Sequence, residues 1–151
     1  MTILAAGVIT VVGLLTATVA QPQSRTGGDR ERLIGAWHLV RIDAPGQTRA
    51  AQPRGILIYT RDGHVSVQLM YPEAAHAADN EYVRGGYEAS FGSYEVDEAS
   101  HTVTHHVQGS ITRDLLVGRD LRRVYQLTSD GHLVIRSANP DEHWSVTWEH
   151  Y

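Results

Sequence analysis

The sequence predicts an all-β fold: an eight-stranded antiparallel up-and-down barrel with a short helix or lid after the third strand. Three observations predict it. From about residue 31 the chain breaks into eight short runs in which apolar and polar residues alternate, each bounded by turn-forming residues. Eight short antiparallel strands in about 120 residues must bury one face and dispose of their edges, and closing into a barrel does both. Apolar residues make up 42% of the chain. Outside an apolar leader the fraction falls to about 37%, a deficit that suits a hollow barrel better than a solid core. Two stacked sheets are the architectural rival for eight strands.

Residues 1–20 form that leader. No charge occurs from Ile3 to Ala20, and the run ends in the small residues Thr18-Val19-Ala20, the pattern of a secretory signal peptide cleaved near Ala20. The stretch ahead of it, Met1-Thr2, lacks Lys or Arg, so an uncleaved N-terminal membrane anchor is the alternative. Residues 21–30 (QPQSRTGGDR) read as a polar linker, and residues 31–151 as one barrel domain. The expected location is therefore periplasmic or extracellular, or the membrane if the leader is retained.

The strands follow in order: Leu33 to Asp43, Gly55 to Arg61, His64 to Tyr71, Glu88 to Asp97, Thr102 to Ser110, Asp120 to Thr128, His132 to Ser137 and His143 to His150. Asp62-Gly63 and Ser129-Asp130-Gly131 supply two tight hairpins, because these residues accept positive φ. Pro72 to Gly86 (PEAAHAADNEYVRGG) is rich in Ala and Glu, opens with Pro and ends in Gly-Gly, which reads as the helix or lid. No repeat or second domain is evident.

Charge and composition exclude several functions. The net charge is −4, with 13 scattered basic residues, so a nucleic-acid partner is not expected. Without Cys there is no disulfide framework, thiolate metal site or thiol nucleophile. Nine His raise the question of a metal, but His105 and His106 are strand neighbours on opposite faces and no HExxH pair exists, so neither metal nor cofactor is expected. His64, His101 and His132 fall at turns and His76 in the lid, where solvation is the default. No nucleophile elbow or phosphate loop occurs.

Gly35-Ala36-Trp37 resembles the Gly-x-Trp signature that opens lipocalin barrels. Leu33 to Val40, Gly55 to Gly63, Tyr87 to Asp97 and Thr102 to Val107 are together similar to the bacterial and fungal lipocalin-like domain family. The resemblance covers nearly everything after Glu31. It implies a calycin-type barrel with an internal cavity and no single function. It also implies an Arg packed over the signature Trp at the barrel base, a part open to Arg123 or Arg136.

Strand parity then sorts the side chains. An inward Trp37 carries Leu39 and Arg41 with it. A two-residue turn at Asp62-Gly63 pairs Tyr59 with Ser66 and Leu57 with Gln68 on one face, Ile58 with Val67 and Ile56 with Leu69 on the other. A solid core would turn the second set inward. A cavity with a few placed polar groups would turn in Tyr59, Ser66 and Gln68, which is the choice made here. Further round, Gly92, Tyr94 and Val96 face in with Val103, His105 and Val107, as do Leu121, Arg123, Tyr125 and Leu127, and Trp144, Val146 and Trp148. Glu88 and Glu95 are candidate partners for His105. Arg123 inside a barrel must be paired, stacked on Trp or kept for an anionic ligand, and stacking is the default.

The first functional reading is an exported protein that binds a small hydrophobic molecule, with Tyr59, Gln68, Tyr94, His105, Arg123 and Trp148 lining the cavity. The second is a cofactor-free cyclase, isomerase or hydrolase acting on a small secondary metabolite. There His105 would be the acid/base, and Arg123 or Tyr94 would stabilise developing oxyanion charge. A filled, structural barrel is the third. Expected partners are the small molecule, a membrane through the leader alone, and a second copy of the chain as a homodimer.

Overall fold

The computed structural model describes residues 27–45, 53–72 and 78–151. The leader (1–20) and most of the linker (21–30) lie outside the described residues. No described helix is long and apolar enough to cross a membrane.

The described residues open with helix α1 (Asp29–Leu33) and form strands β1 (Gly35–Asp43), β2 (Arg54–Tyr59), β3 (His64–Met70), β4 (Val83–Arg84), β5 (Tyr87–Asp97) and β6 (Thr102–Ser110). Helix α2 (Arg113–Leu116) follows, then β7 (Asp120–Leu127), β8 (His132–Ser137) and β9 (Ser145–His150). All pairings are antiparallel, β3 with β5 and β1 with β9 included, so eight strands close into a barrel and the two-residue β4 is an appendage on β5. Of the stretch 72–86 expected as helix or lid, residues 73–77 lie outside the described residues. The remainder holds β4 and a turn at Gly85-Gly86, both with positive φ, in place of helix.

Two expected registers differ by one residue, each for a local reason. The β2–β3 turn has three residues rather than two: Thr60 N–H donates to His64 O at 2.9 Å, Gly63 N–H donates to Thr60 O at 3.2 Å, and Gly63 has φ +89°. Tyr59 therefore opposes Val65 and Leu57 opposes Val67, while Ser66 and Gln68 oppose the outward Ile58 and Ile56. The inner face thus combines Leu57 and Tyr59 with Val65, Val67 and Leu69. In β1 the pairing with β9 slips between Leu39 and Arg41, leaving Val40 as a bulge. That extra residue turns Ile42 inward, and Arg41 goes out to pair with Asp43 at 2.8 Å.

One end of the barrel is closed. The β2–β3 and β7–β8 hairpins there share the sequence Thr-x-Asp-Gly-His, at residues 60–64 and 128–132. In each, the Thr hydroxyl accepts the His backbone N–H at 2.9 Å and the Asp carboxylate approaches the imidazole Nδ1. Both Asp carboxyls are held below the usual range, chiefly by the Thr hydroxyl bond. The expectation of no repeat is thus corrected at this short scale: one five-residue turn motif occurs twice.

Five residues are too few for an isolated helix, so α1 is held by tertiary contacts. Leu33 is fully buried, and its carbonyl accepts the Trp37 indole N–H at 2.8 Å. Arg30 N–H donates to Glu98 Oε1 at 2.9 Å, and Tyr125 O–H donates to Asp29 Oδ2 at 3.1 Å. Against the rim, the Trp37 ring meets the His150 ring edge-on at 4.7 Å. Among the described residues no arginine stacks on Trp37. Arg136 is exposed and Arg123 stacks elsewhere, so His150 takes the place the resemblance gave to one of them.

Gly35 makes that contact feasible. Its φ is +139°, and a Cβ there would stand 2.2 Å from His150 Nε2. Gly35→Ala is expected to cost about 1–3 kcal/mol, from backbone strain and the displaced imidazole together. Urea unfolding measures it, and an unchanged midpoint would refute the constraint.

Candidate functional site

The barrel opens at the other end, where the connections are longer, onto a cavity of about 380 Å³. Its wall is mostly apolar. Leu57, Val67 and Leu69 come from β2 and β3, Ile42 from β1, Leu121 and Ile135 from β7 and β8, and Val146 and Trp148 from β9. Tyr71, Tyr82 and Trp144, from the connections, complete the rim. Arg123, His105 and Glu88 are the ionisable side chains whose charge states matter most inside.

Arg123 sits on β7 with Leu121, Tyr125 and Leu127, as parity requires, and is 7% exposed. Its guanidinium carbon lies 4.8 Å from the centre of the Trp144 ring and 5.3 Å from that of Tyr82. The expected stacking on Trp is therefore present. Glu142 stands 3.9 Å away, the outer limit of an ion pair, and accepts the Trp144 indole N–H at 3.0 Å. Burial works against the Glu142 charge, but bonds from Trp144, Ser137 and Asn139 and the Arg123 charge outweigh it and hold the carboxyl below its ordinary value.

His105 faces in from β6 and His106 faces out, again as parity requires. His106 bonds Asp120 at 2.7 Å, which raises it. At the cavity floor His105 Nε2 lies 2.7 Å from the Tyr59 hydroxyl. Burial, and then the Arg123 charge, push His105 down to about 3, while burial pushes the Tyr59 phenol far up. Both are therefore neutral near pH 7, and one proton is shared along the line between the phenol oxygen and Nε2.

Glu88 is the site residue that strand parity could have placed without help. It keeps step with Gly92, Tyr94 and Val96 along β5, because the bulge beside Gly92 falls on β6, where Gln108 is the extra residue. Its carboxyl is pushed up to about 7 by burial, against the Arg123 charge that lowers it. The carboxyl in turn helps burial raise Tyr71 to about 12.

Of the six residues expected to line the cavity, His105, Arg123 and Trp148 do so. Tyr59 lies beneath the floor and reaches the cavity only through His105. Tyr94 belongs to the closed end, where its hydroxyl donates to Thr60 O at 2.9 Å, its ring packs against Tyr59 and the Arg30 guanidinium lies 5.8 Å away. Gln68 is on the outer face, a consequence of the three-residue turn. Trp144 lines the cavity beside Val146 and Trp148, with which parity turned it inward. Tyr71 was missed because it keeps step with Val67 and Leu69, the set the two-residue turn put outside, and Tyr82 because its connection carries no strand period. No cluster of metal-ligating side chains occurs among the described residues.

A closed eight-stranded meander with an apolar cavity open at one end is the architecture of the calycin class. The lipocalin-like domain family matches residues 34–150, and the chain belongs to that family. No curated protein matches the chain.

Proposed function

We propose that the protein is an exported, cofactor-free binder of one small, largely apolar molecule carrying a polar end. The supporting observation is the cavity itself. About 380 Å³ of space is walled by aliphatic and aromatic side chains with a few ionisable groups among them, the composition of a small-molecule site. A filled structural barrel would not leave that volume. Trp148 and Trp144 pack the body of the ligand, and Arg123 orients its polar end. The leader carries the proposal of export.

The second reading, acid/base catalysis in the same cavity, draws on Glu88. A carboxyl titrating near neutrality beside an apolar ligand is suited to moving a proton, with Arg123 stabilising negative charge on oxygen. His105 is the weaker acid/base, because it is neutral and its Nε2 is already engaged by the Tyr59 hydroxyl.

Filling the space tests the binding reading. N-phenyl-1-naphthylamine is expected to bind the wild type and quench its tryptophan fluorescence. Leu121→Trp, which fills the cavity, should weaken that binding at least tenfold with unchanged circular dichroism. Undiminished binding to a folded Leu121→Trp variant would place the site elsewhere. Native mass spectrometry of the protein as purified identifies the ligand it carries, and turnover of that compound would favour the enzyme.

A further inference from the structure

We propose that the cavity takes the carboxylate of an amphipathic acid on Arg123, and that Glu88 competes with it, so that a proton on Glu88 retains the ligand and loss of that proton releases it. This rests on the ligand-binding reading above and adds the class of ligand and its regulation.

The Arg123 guanidinium is buried with its charge loosely matched. Trp144 and Tyr82 lie against it at 4.8 and 5.3 Å, and Glu142 is 3.9 Å away with its carboxylate engaged by Trp144 and Asn139 at 3.0 and 3.3 Å. Stacking on Trp144 occupies a face of the guanidinium; the Tyr82 hydroxyl takes one side-chain hydrogen bond from it and Glu142 stands off Nη1, and the rest of the five-donor N–H fork is left for a ligand. A carboxylate matches that fork in shape and charge, and the apolar wall around it accepts a hydrocarbon or aryl body.

Glu88 lines the same cavity, and the Arg123 charge acts on it. Among the described residues, Arg123 is the cation whose charge is felt at Glu88. Its pairing partners on β3 and β4 are Leu69 and Val83, both uncharged. Past β3 stands Tyr71, a neutral phenol that the Glu88 charge raises further. Arg84 of β4 is exposed and faces Asp79 at 3.7 Å. On β6 His105 is neutral, and Tyr82 and Glu142 sit against Arg123.

Protonated Glu88 therefore leaves Arg123 in need of an anion and offers an O–H donor to a carboxylate. Ionised Glu88 supplies the counter-charge from within and repels the same carboxylate. With the Glu88 carboxyl at about 7, its protonated fraction falls about tenfold between pH 6 and pH 8. Ligand affinity is expected to fall by about the same factor.

Decanoate and 1-decanol provide the test, since they share a chain and neither titrates between pH 6 and 8. Binding is read by calorimetry and tryptophan fluorescence. Decanoate should bind the wild type at pH 6 at least tenfold more tightly than decanol and weaken about tenfold by pH 8, with decanol unchanged. Glu88→Gln should make the decanoate profile flat, and Arg123→Gln should abolish the preference. Because Arg123→Gln removes a stacked core group, the isosteric Glu88→Gln decides if that variant does not fold. Equal binding of both probes overturns the carboxylate assignment and leaves the binding site standing. A Glu88→Gln profile as steep as wild type overturns the role of Glu88. Binding of neither probe overturns both this proposal and the cavity reading.

Discussion

Replacing Trp37 by alanine is expected to destabilise the barrel by about 3–5 kcal/mol, the range for deleting a large buried aromatic side chain. Trp37 is 3% exposed and reaches three parts of the closed end: its indole N–H donates to Leu33 O at 2.8 Å, its ring meets His150, and its strand pairs with both β2 and β9. Loss of the ring leaves a void under α1 and removes the bond that ties the helix to β1. A domain of this size holds about 5–15 kcal/mol in total, so the variant should be folded but fragile. Trp37→Phe, which keeps the ring and loses the donor, should cost much less, about 1–2 kcal/mol. Urea unfolding of both variants is the check. A loss below 1 kcal/mol for alanine would show that the closed end is not the centre of stability.

The second large effect is in the pH dependence of stability, where a partly buried carboxyl and a buried imidazole act with opposite sign. Glu88 has its carboxyl raised from 4.5 to about 7 in the fold. Its contribution is complete below pH 4.5 and is lost as pH rises through 7, by at most roughly 3 kcal/mol. His105 is lowered from 6.5 to about 3. Its contribution is complete above pH 6.5 and is lost as pH falls through 3, by at most roughly 5 kcal/mol. Between about pH 4.5 and 6.5 the fold holds one proton on Glu88, and the unfolded chain holds one on His105. Proton uptake cancels, and these two groups give a plateau. Glu88→Gln should convert the plateau into a climb, matching wild type at pH 4 and exceeding it by up to roughly 3 kcal/mol at pH 8. Urea midpoints at pH 4, 5, 6, 7 and 8 decide it. A variant curve running parallel to wild type would mean that Glu88 is not desolvated.

Much of this was legible in the sequence because β-strands repeat every two residues. The closed eight-stranded meander, the inward Arg123, Tyr125, His105 and Trp148, and the outward His106 all follow from alternation. The errors arose where one residue breaks that alternation. The third residue of the Asp62-Gly63 turn moved Gln68 outside, and the bulged Val40 exchanged Arg41 for Ile42. Neither is encoded by a hydrophobic pattern, since a bulge and a slip produce the same local composition. Glu88 was legible too: it shares the parity of Gly92, Tyr94 and Val96, and the bulge beside Gly92 lies on the neighbouring strand and leaves that parity intact. The rim residue Tyr82 is brought to the cavity by a connection whose path depends on tertiary packing, whereas the inward Trp144 follows from the alternation of the last strand.

The two ends of the barrel divide the labour of the molecule in a way that bears on how it can change. Leu33, Trp37, Tyr59 and Leu133, all 3% exposed or less, hold the fold at or toward the closed end. Tyr71, Tyr82 and Trp144 line the cavity from connections at the opposite end. Substitutions in those connections can re-set what the cavity accepts while the foundation beneath stays intact. A new specificity can thus be reached through steps that each leave a folded protein, and the same separation makes the open rim the place to begin in redesigning this barrel for another guest.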